Sequence, residues 1–551
     1  MDAACCFSRH AIFPRRRMLA LLAALAVLAV ALRGWGLGRP FLGAFGSKAA
    51  VHGMIARNWS AGRAPWHLPT VDMLAGSKRG LHLLEYPVPT ALVALGHRLL
   101  GGPLELWGRG QALLWSLAGL VFLFLGVQRR WGEQAAWGAA AAWVLSPVGV
   151  IYGQHFLVEV PAVTWLLGCW WLWPQALRPR AWLAQAASCL LLAAALLTRP
   201  MLVVLLPWFV AEAWLLPHGS QRRGRLVRAG ALVTAALVPL GVWVAWVFHA
   251  ASPGGPLARQ VYYSLVHSRL AQQQAWALLL EPAWYARAAK ELSLRLLGPL
   301  GLVLAVWGLW QSPFRRQAWL ACGLSLGLLL LLPGKFYQQN YYYVLLVPAG
   351  CVACGLGYQA AEAWLRRRPR WQLAVLGGLW LVGVLRLAWP AAYATPEEDQ
   401  SVLQVAALVR QLTLPEEPVV TLHGGSVVLL FYCDRPGWAW TDDPGRLSRR
   451  LQYAREHGAC VVAWVGRRVP TALREGKLRV LVALGEGGTE AAKASGPGAL
   501  GWRIAAWDKH PTEEAQAKAH APGREPSPEK SPLRQRIADP LPVTARGTKT
   551  R

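Results

Sequence analysis

The sequence predicts an all-α polytopic membrane protein of about 11 transmembrane helices, with a small extracytoplasmic α/β domain towards its C-terminus. Three observations predict it. Apolar stretches succeed one another from residue 18 to residue 390, and a bilayer crossing needs about 20 mainly apolar residues. Short arginine clusters punctuate them, at Arg15–Arg17, Arg129–Arg130, Arg178 and Arg180, Arg222–Arg228, Arg315–Arg316 and Arg366–Arg370, and consecutive clusters are always separated by an even number of stretches. All clusters therefore share one side of the membrane. Cytoplasmic loops are enriched in Lys and Arg, so that side is the inside, and residues 1–17 form a cytoplasmic N-terminus. Beyond residue 390 the apolar stretches give way to alternating strand and helix patterns.

In order, the predicted spans are 18–37, 109–128, 134–152, 156–174, 181–197, 200–216, 229–250, 294–311, 317–333, 341–364 and 372–390. The first has the basic start of a signal peptide, yet its apolar run continues to Trp35 and Leu37, which predicts an uncleaved anchor. The transmembrane domain is thus 18–390, with outer loops 38–108 and 251–293. Within the first loop, Tyr86–Leu100 is apolar and flanked by Gly and Pro, and is expected to lie in the interface or dip into the membrane. The second loop reads as an amphipathic helix resting on the headgroups, with Tyr262, Tyr263, Trp276, Trp284 and Tyr285 among Arg and Gln. The expected setting is a multi-pass protein of the cell (inner) membrane.

Composition supports the class and removes one partner. A formal charge of +29 would suggest nucleic acid in a soluble chain, but here much of the excess is the arginine of inner loops, so no nucleic-acid partner is expected. Cysteines show no metal-ligand spacing. Cys351 and Cys354 lie in an apolar run, where small residues serve helix packing. Cys433 and Cys460 lie in the polar C-terminal part; they are either two free thiols in neighbouring strands or a disulfide favoured by an oxidising compartment.

The outer domain is expected over 391–510. An amphipathic helix (399–413) precedes a strand at Pro418–Leu422, the turn His423–Ser426, and a second strand at Val427–Tyr432. A helix near 445–457 then leads to a strand at Ala459–Trp464, with a further strand at Leu478–Leu484. Residues 511–551 are rich in Pro, Glu, Lys and Arg with few large apolar residues, the composition of a disordered tail.

Several motifs carry a resemblance. They are Ile55–Asn58, Leu84–Pro87 with Arg109, Ser146–Pro147 with Ile151–Glu159, Leu197–Pro200, Gln339–Tyr343 with Pro348, and Leu430–Trp438. Their order and topology resemble the GT-C membrane glycosyltransferases, specifically the bacterial family-39 group related to protein O-mannosyltransferases and aminoarabinose transferases. The resemblance implies a GT-C-like transmembrane domain. It also implies a family-39-like enzyme that moves a sugar from a polyprenyl-phosphate carrier to a lipid, glycan or protein acceptor at the outer face.

That chemistry needs a carboxylate to take the acceptor proton or a metal to activate the acceptor, and cations to hold the departing phosphate. Glu85 and Glu159 are the catalytic candidates, because a carboxylate at a membrane boundary is costly to keep without a task. Arg57, Arg109 and Arg199, with Gln339 and Tyr342, are the substrate- and phosphate-binding candidates, and Lys335 is a weaker one. A divalent metal is the one cofactor considered, with Glu85 as its candidate ligand. The sequence departs from the family twice. Lys48 and Ala49 stand where the family carries an Asp-Glu pair, and Gln339 stands where it often carries His. His52 and His155 are substitute bases. The missing pair favours a second reading, a non-catalytic membrane protein that binds lipid-linked sugars; a transporter is weaker, for want of an inverted repeat of broken helices.

Overall fold

The computed structural model describes residues 15–43, 45–215, 222–252, 254–265, 275–365, 367–394, 401–466, 479–484 and 501–506. The tail expected at 511–551 lies outside them. The chain divides into two compact units. The first takes in residues up to Thr70, His82–Ala258 and Ala271–Thr395; the second takes in Val71–Leu81, Arg259–Leu270 and the residues from Pro396 onward.

The first unit is built of apolar helices. Four described helices are long and apolar enough to cross a membrane: Leu104–Trp131, Arg222–Ala251, Asn340–Glu362 and Trp371–Ala392. A fifth results if Pro282–Leu296 and Gly298–Gln311, bent by 98°, count as one broken span. Most of the other predicted stretches form shorter or interrupted helices, and two of the interruptions have a local cause. At 134–152 the helix Glu133–Val144 ends before Ser146-Pro147, and Ser146 Oγ caps the next helix, Pro147–Tyr152, by accepting from the Gly149 amide at 3.0 Å. Carbonyls freed at that break are taken by the fully buried Arg33, which donates to Trp143, Val144 and Gly149 oxygens at 2.9, 3.2 and 3.1 Å. Between Trp182–Thr198 and Leu206–Leu215, Pro200 forces Arg199 into an extended conformation (φ −140°, ψ 87°) and a 3₁₀ segment follows.

Small residues let the helices approach closely. Gly355 and Gly357 set the helix Val347–Leu365 against Glu133–Val144 and Gly298–Gln311; a methyl group at Gly357 would overlap the Leu304 carbonyl. Cys351 and Cys354 are buried thiols of that same helix. The stretch predicted to rest at the interface contains the helix Val88–Leu100, whose Leu92, Leu95 and Leu99 form an exposed apolar stripe.

The second unit is a sheet with helices. Its strands are β1 (Thr70–Ala75), β2 (Lys78–Leu83), β3 (Val261–Ser264), β4 (Val419–Leu422), β5 (Gly437–Trp440), β6 (Val461–Gly466), β7 (Arg479–Leu484) and β8 (Gly501–Ala506), in the order β3-β2-β1-β5-β4-β6-β8-β7. β1, β5, β4 and β6 run parallel, and β8 and β7 close one side antiparallel. Strands from both long loops thus enter the same sheet as the C-terminal strands. β3 is a departure from the amphipathic helix expected at 251–293, part of which survives as Pro282–Lys290.

Val427–Tyr432, expected as a strand, is instead the helix Val428–Cys433. Gly424 and Gly425 adopt positive φ, and Ser426 Oγ meets the Val428 amide at 3.3 Å, which starts a helical turn that hydrophobicity alone cannot distinguish from a strand. Asp434 then takes a left-handed conformation (φ 50°) and Arg435 locks the turn, donating to Thr413 Oγ1, Thr413 O and Arg410 O at 3.0, 2.7 and 3.0 Å. Gly437 enters β5 so close to β4 that any side chain would overlap the Val419 carbonyl. No disulfide joins Cys433 to Cys460, and Cys460 faces Glu417 and the Pro418 carbonyl.

Candidate active site

Three breaks in helical structure bring charge together inside the first unit. Arg199 sits at the joint that Pro200 creates. Glu159 opens the helix Glu159–Ala176, where the partial positive charge of a helix start suits a carboxylate. Glu85 lies just before the helix Val88–Leu100, and the amide of Tyr86 donates to Leu197 O at 3.2 Å, which sets this segment beside the end of Trp182–Thr198.

The result is a cluster in which Glu85, Glu159 and Arg199 are fully buried and Lys48 is partly so. Arg199 Nη1 lies 3.2 Å from Glu85 Oε1, and Arg199 Nη2 donates to Glu159 Oε1. Lys48, near the start of the helix Gly46–Ser60, places Nζ 3.2 Å from the same Glu85 Oε1. Phe45, just before that helix, adopts φ 66° and packs edge-on against Tyr152 and Tyr341. Strain of this kind, about 1–3 kcal/mol, persists where the surroundings enforce it. The Tyr342 ring lies under the Arg199 guanidinium at 5.6 Å. Glu85 Oε2, Glu159 Oε2 and Arg199 Nε are buried without a protein partner, so the ends of the cluster present open hydrogen-bonding valences.

Electrostatics follow from this arrangement. Burial pushes the Glu85 carboxyl up, but Arg199 and then Lys48 outweigh burial and hold it well below the usual carboxylate range. Burial, reinforced by Lys48, pushes His82 down to about 4 and His52 well below the ordinary imidazole value, so both are neutral near pH 7. Nδ1 of His52 is 3.0 Å from Thr90 Oγ1, and its Nε2 is buried and unpartnered. Burial followed by repulsion from Lys48 brings the Lys335 ammonium down to about 8. Apart from burial, Lys48 and Arg199 repel Lys335 while Glu85 attracts it, so three cations stand near one another at a place that would suit an anion.

The other candidates are distributed differently. Arg57 lies on the same helix as Lys48, about two and a half turns further along. Arg109 is spent on backbone: it donates to Arg39, Gln154 and Pro40 oxygens at 3.0, 2.9 and 2.8 Å. Gln339 precedes the 3₁₀ segment Asn340–Leu346 and accepts from the Tyr341 hydroxyl. His155 is buried, and burial followed by Arg109 pushes it down to about 3. Lys48 is the member that sequence reasoning registered only as a missing acid.

A divalent ion fits this donor set poorly. Among the described residues no three His, Cys, Asp or Glu converge to hold a metal. One oxygen of Glu85 already faces two cations, and one oxygen of Glu159 faces Arg199.

Solved structures share this arrangement of helices. ArnT from Cupriavidus metallidurans bound to undecaprenyl phosphate superimposes with a TM-score of 0.60 at 14% identity, covering 90% of this chain and 98% of that one. The chain has the GT-C fold. AglB from Archaeoglobus fulgidus in complex with an inhibitory peptide and a dolichol-phosphate gives 0.50 at 12% identity, over 81% and 69% of the two chains. The A. fulgidus oligosaccharyltransferase in complex with Zn and sulfate also gives 0.50 at 12% identity, over 81% and 68%. No family model matches the sequence, and no curated protein matches it.

Proposed function

We propose that this protein is a membrane glycosyltransferase that moves a sugar from a polyprenyl-phosphate carrier to a lipid, glycan or protein acceptor at the outer face of the cell (inner) membrane. One observation carries the reading: a GT-C chain buries Glu85, Arg199 and Glu159 in a single cluster with Lys48, leaving carboxylate oxygens and a guanidinium nitrogen open. Undecaprenyl phosphate and dolichol-phosphate in the structures of similar fold support the carrier class.

In this reading the carrier phosphate faces Arg199, Lys48 and Lys335, with Arg57 as an outer contact, while Tyr342 backs the guanidinium. The bond from the anomeric carbon to the phosphate oxygen breaks, and its electron pair leaves with the phosphate, whose growing charge the cations stabilise. The acceptor oxygen bonds to the anomeric carbon and gives its proton to Glu159, or to Glu85. No step is routed through a divalent metal. Orientation completes the proposal, with the N-terminus cytoplasmic and the C-terminal domain extracytoplasmic.

A second reading, a binding protein for lipid-linked sugars without turnover, has its own support: both carboxylates are engaged by cations, and Lys48 contributes no carboxylate. Mass analysis of envelope glycans from cells with and without the protein separates the two. A glycan that loses a single sugar residue on deletion supports transfer, and unchanged glycans would leave the binding reading.

A further inference from the structure

Resting on the transferase reading, we infer that Lys48 is the resident cation of this site: its ammonium compensates Glu85 and faces the carrier phosphate, the two tasks that a divalent ion would otherwise perform. Two cations share one oxygen. Lys48 Nζ and Arg199 Nη1 each lie 3.2 Å from Glu85 Oε1, and Glu85 is fully buried. A dication brought to that carboxylate would be repelled by both while gaining at most the remaining oxygen. The neighbouring acid, Glu159, is held by the same guanidinium.

Lys48 is also placed firmly. Its amide donates to Phe45 O at 3.0 Å, and Phe45 is fixed in its left-handed conformation by the Tyr152 and Tyr341 rings. One turn further along the same face stands His52, held at Nδ1 by Thr90. An ammonium has three donors, so one contact to Glu85 leaves capacity for phosphate oxygens. Burial and then repulsion from Lys48 and Arg199 lower Lys335, so an anion bound beside these three cations would be stabilised. A bound phosphate would supply that anion without a metal bridge.

The test uses the full chain in lipid nanodiscs, with undecaprenyl phosphate, Zn²⁺ and Mg²⁺ as probes. Metal content after incubation and desalting should stay far below one ion per chain, and EDTA should leave the affinity for undecaprenyl phosphate unchanged. Lys48→Met should weaken that affinity about tenfold or more, the loss of one charge-assisted contact, and added Mg²⁺ or Zn²⁺ should restore part of it. Lys48→Arg should stay near wild type, which a purely structural lysine would not require. One ion per wild-type chain that Glu85→Gln removes would overturn the inference. So would loss of wild-type affinity in EDTA, or full affinity in Lys48→Met. If wild type binds no undecaprenyl phosphate under any condition, the carrier reading fails instead, and the metal content alone decides whether Lys48 excludes the ion.

Discussion

Glu85 Oε1 stands 3.2 Å from Arg199 Nη1, and the same guanidinium reaches Glu159 through its other terminal nitrogen. One buried cation therefore pairs with two carboxylates from separate parts of the chain, with Lys48 supplying the second positive charge at Glu85. Removal of Arg199 leaves the two carboxylates facing each other in a dehydrated interior. Losing one partner of a buried pair typically costs about 3–5 kcal/mol, so Arg199→Met is expected to lower thermal stability sharply in detergent. Adding Glu85→Gln and Glu159→Gln to Arg199→Met should recover much of that loss. Equal melting temperatures for wild type and Arg199→Met would show that the cluster contributes nothing to folding.

Acid should weaken the fold through a buried histidine. His82 titrates near 4 in the folded chain against 6.5 in a free imidazole, because of burial and the nearby Lys48. The unfolded chain then binds more protons between those values, so stability is complete above about pH 6.5 and falls as pH drops towards 4. Lys48, Arg199 and Lys335 oppose protonation, while Glu85 favours it less strongly than burial and Lys48 oppose it. Melting temperatures read from pH 7.5 down to pH 5 should decline, and His82→Asn should flatten the slope. A flat wild-type profile would show that His82 is protonated without cost.

Gly437 offers a test confined to the sheet. Its β5 backbone runs where a methyl group would overlap the Val419 carbonyl of β4. Gly437→Ala must push the two strands apart and is expected to cost about 1–3 kcal/mol. Faster proteolysis within residues 401–466, with cleavage elsewhere unchanged, is the readout. Unaltered proteolysis would mean that the strands separate freely.

The sequence made Glu85, Glu159 and Arg199 legible because each is a charge at a boundary where hydrocarbon makes charge expensive, and because Arg199 precedes a proline that ends its helix. Lys48 was not legible as a partner: nothing within one turn of it signals an acid, and its ion pair with Glu85 exists only after the loop folds back. Arg109 marks the converse limit, since a buried arginine that donates to three carbonyls looks the same in sequence as one awaiting phosphate. Within the sheet, Val428–Cys433 illustrates the limit of periodicity in a short apolar run. β3 has no more than four residues to announce it.

Orientation can be read directly. Reporter fusions after Arg130, Arg228 and Arg370 are expected to report cytoplasm, and fusions after Ser252 and Glu397 the outside, if the arginine clusters set the topology. A cytoplasmic signal at Glu397 would imply an even number of crossings and would remove the sheet's C-terminal strands from the outer face.

The carboxylates decide the chemistry. Both keep a second oxygen unpartnered, but Glu85 meets two cations, Lys48 and Arg199, whereas Glu159, at the start of a helix, meets Arg199. A carboxylate held well below its usual range by two cations is a weak proton acceptor, which makes Glu159 the stronger choice for the acceptor proton. General-base assistance contributes about 100- to 10,000-fold in rate, so Glu159→Gln should lower turnover by that order and leave undecaprenyl phosphate binding intact. Glu85→Gln should act differently. It frees Lys48 and Arg199 from one countercharge, so carrier affinity should hold or rise while turnover falls less than in Glu159→Gln. Single-turnover transfer with both variants, each beside its carrier affinity, makes the comparison. Near-normal transfer by both would remove the carboxylates from the proton transfer and leave His52, neutral and open at Nε2, as the base to test next.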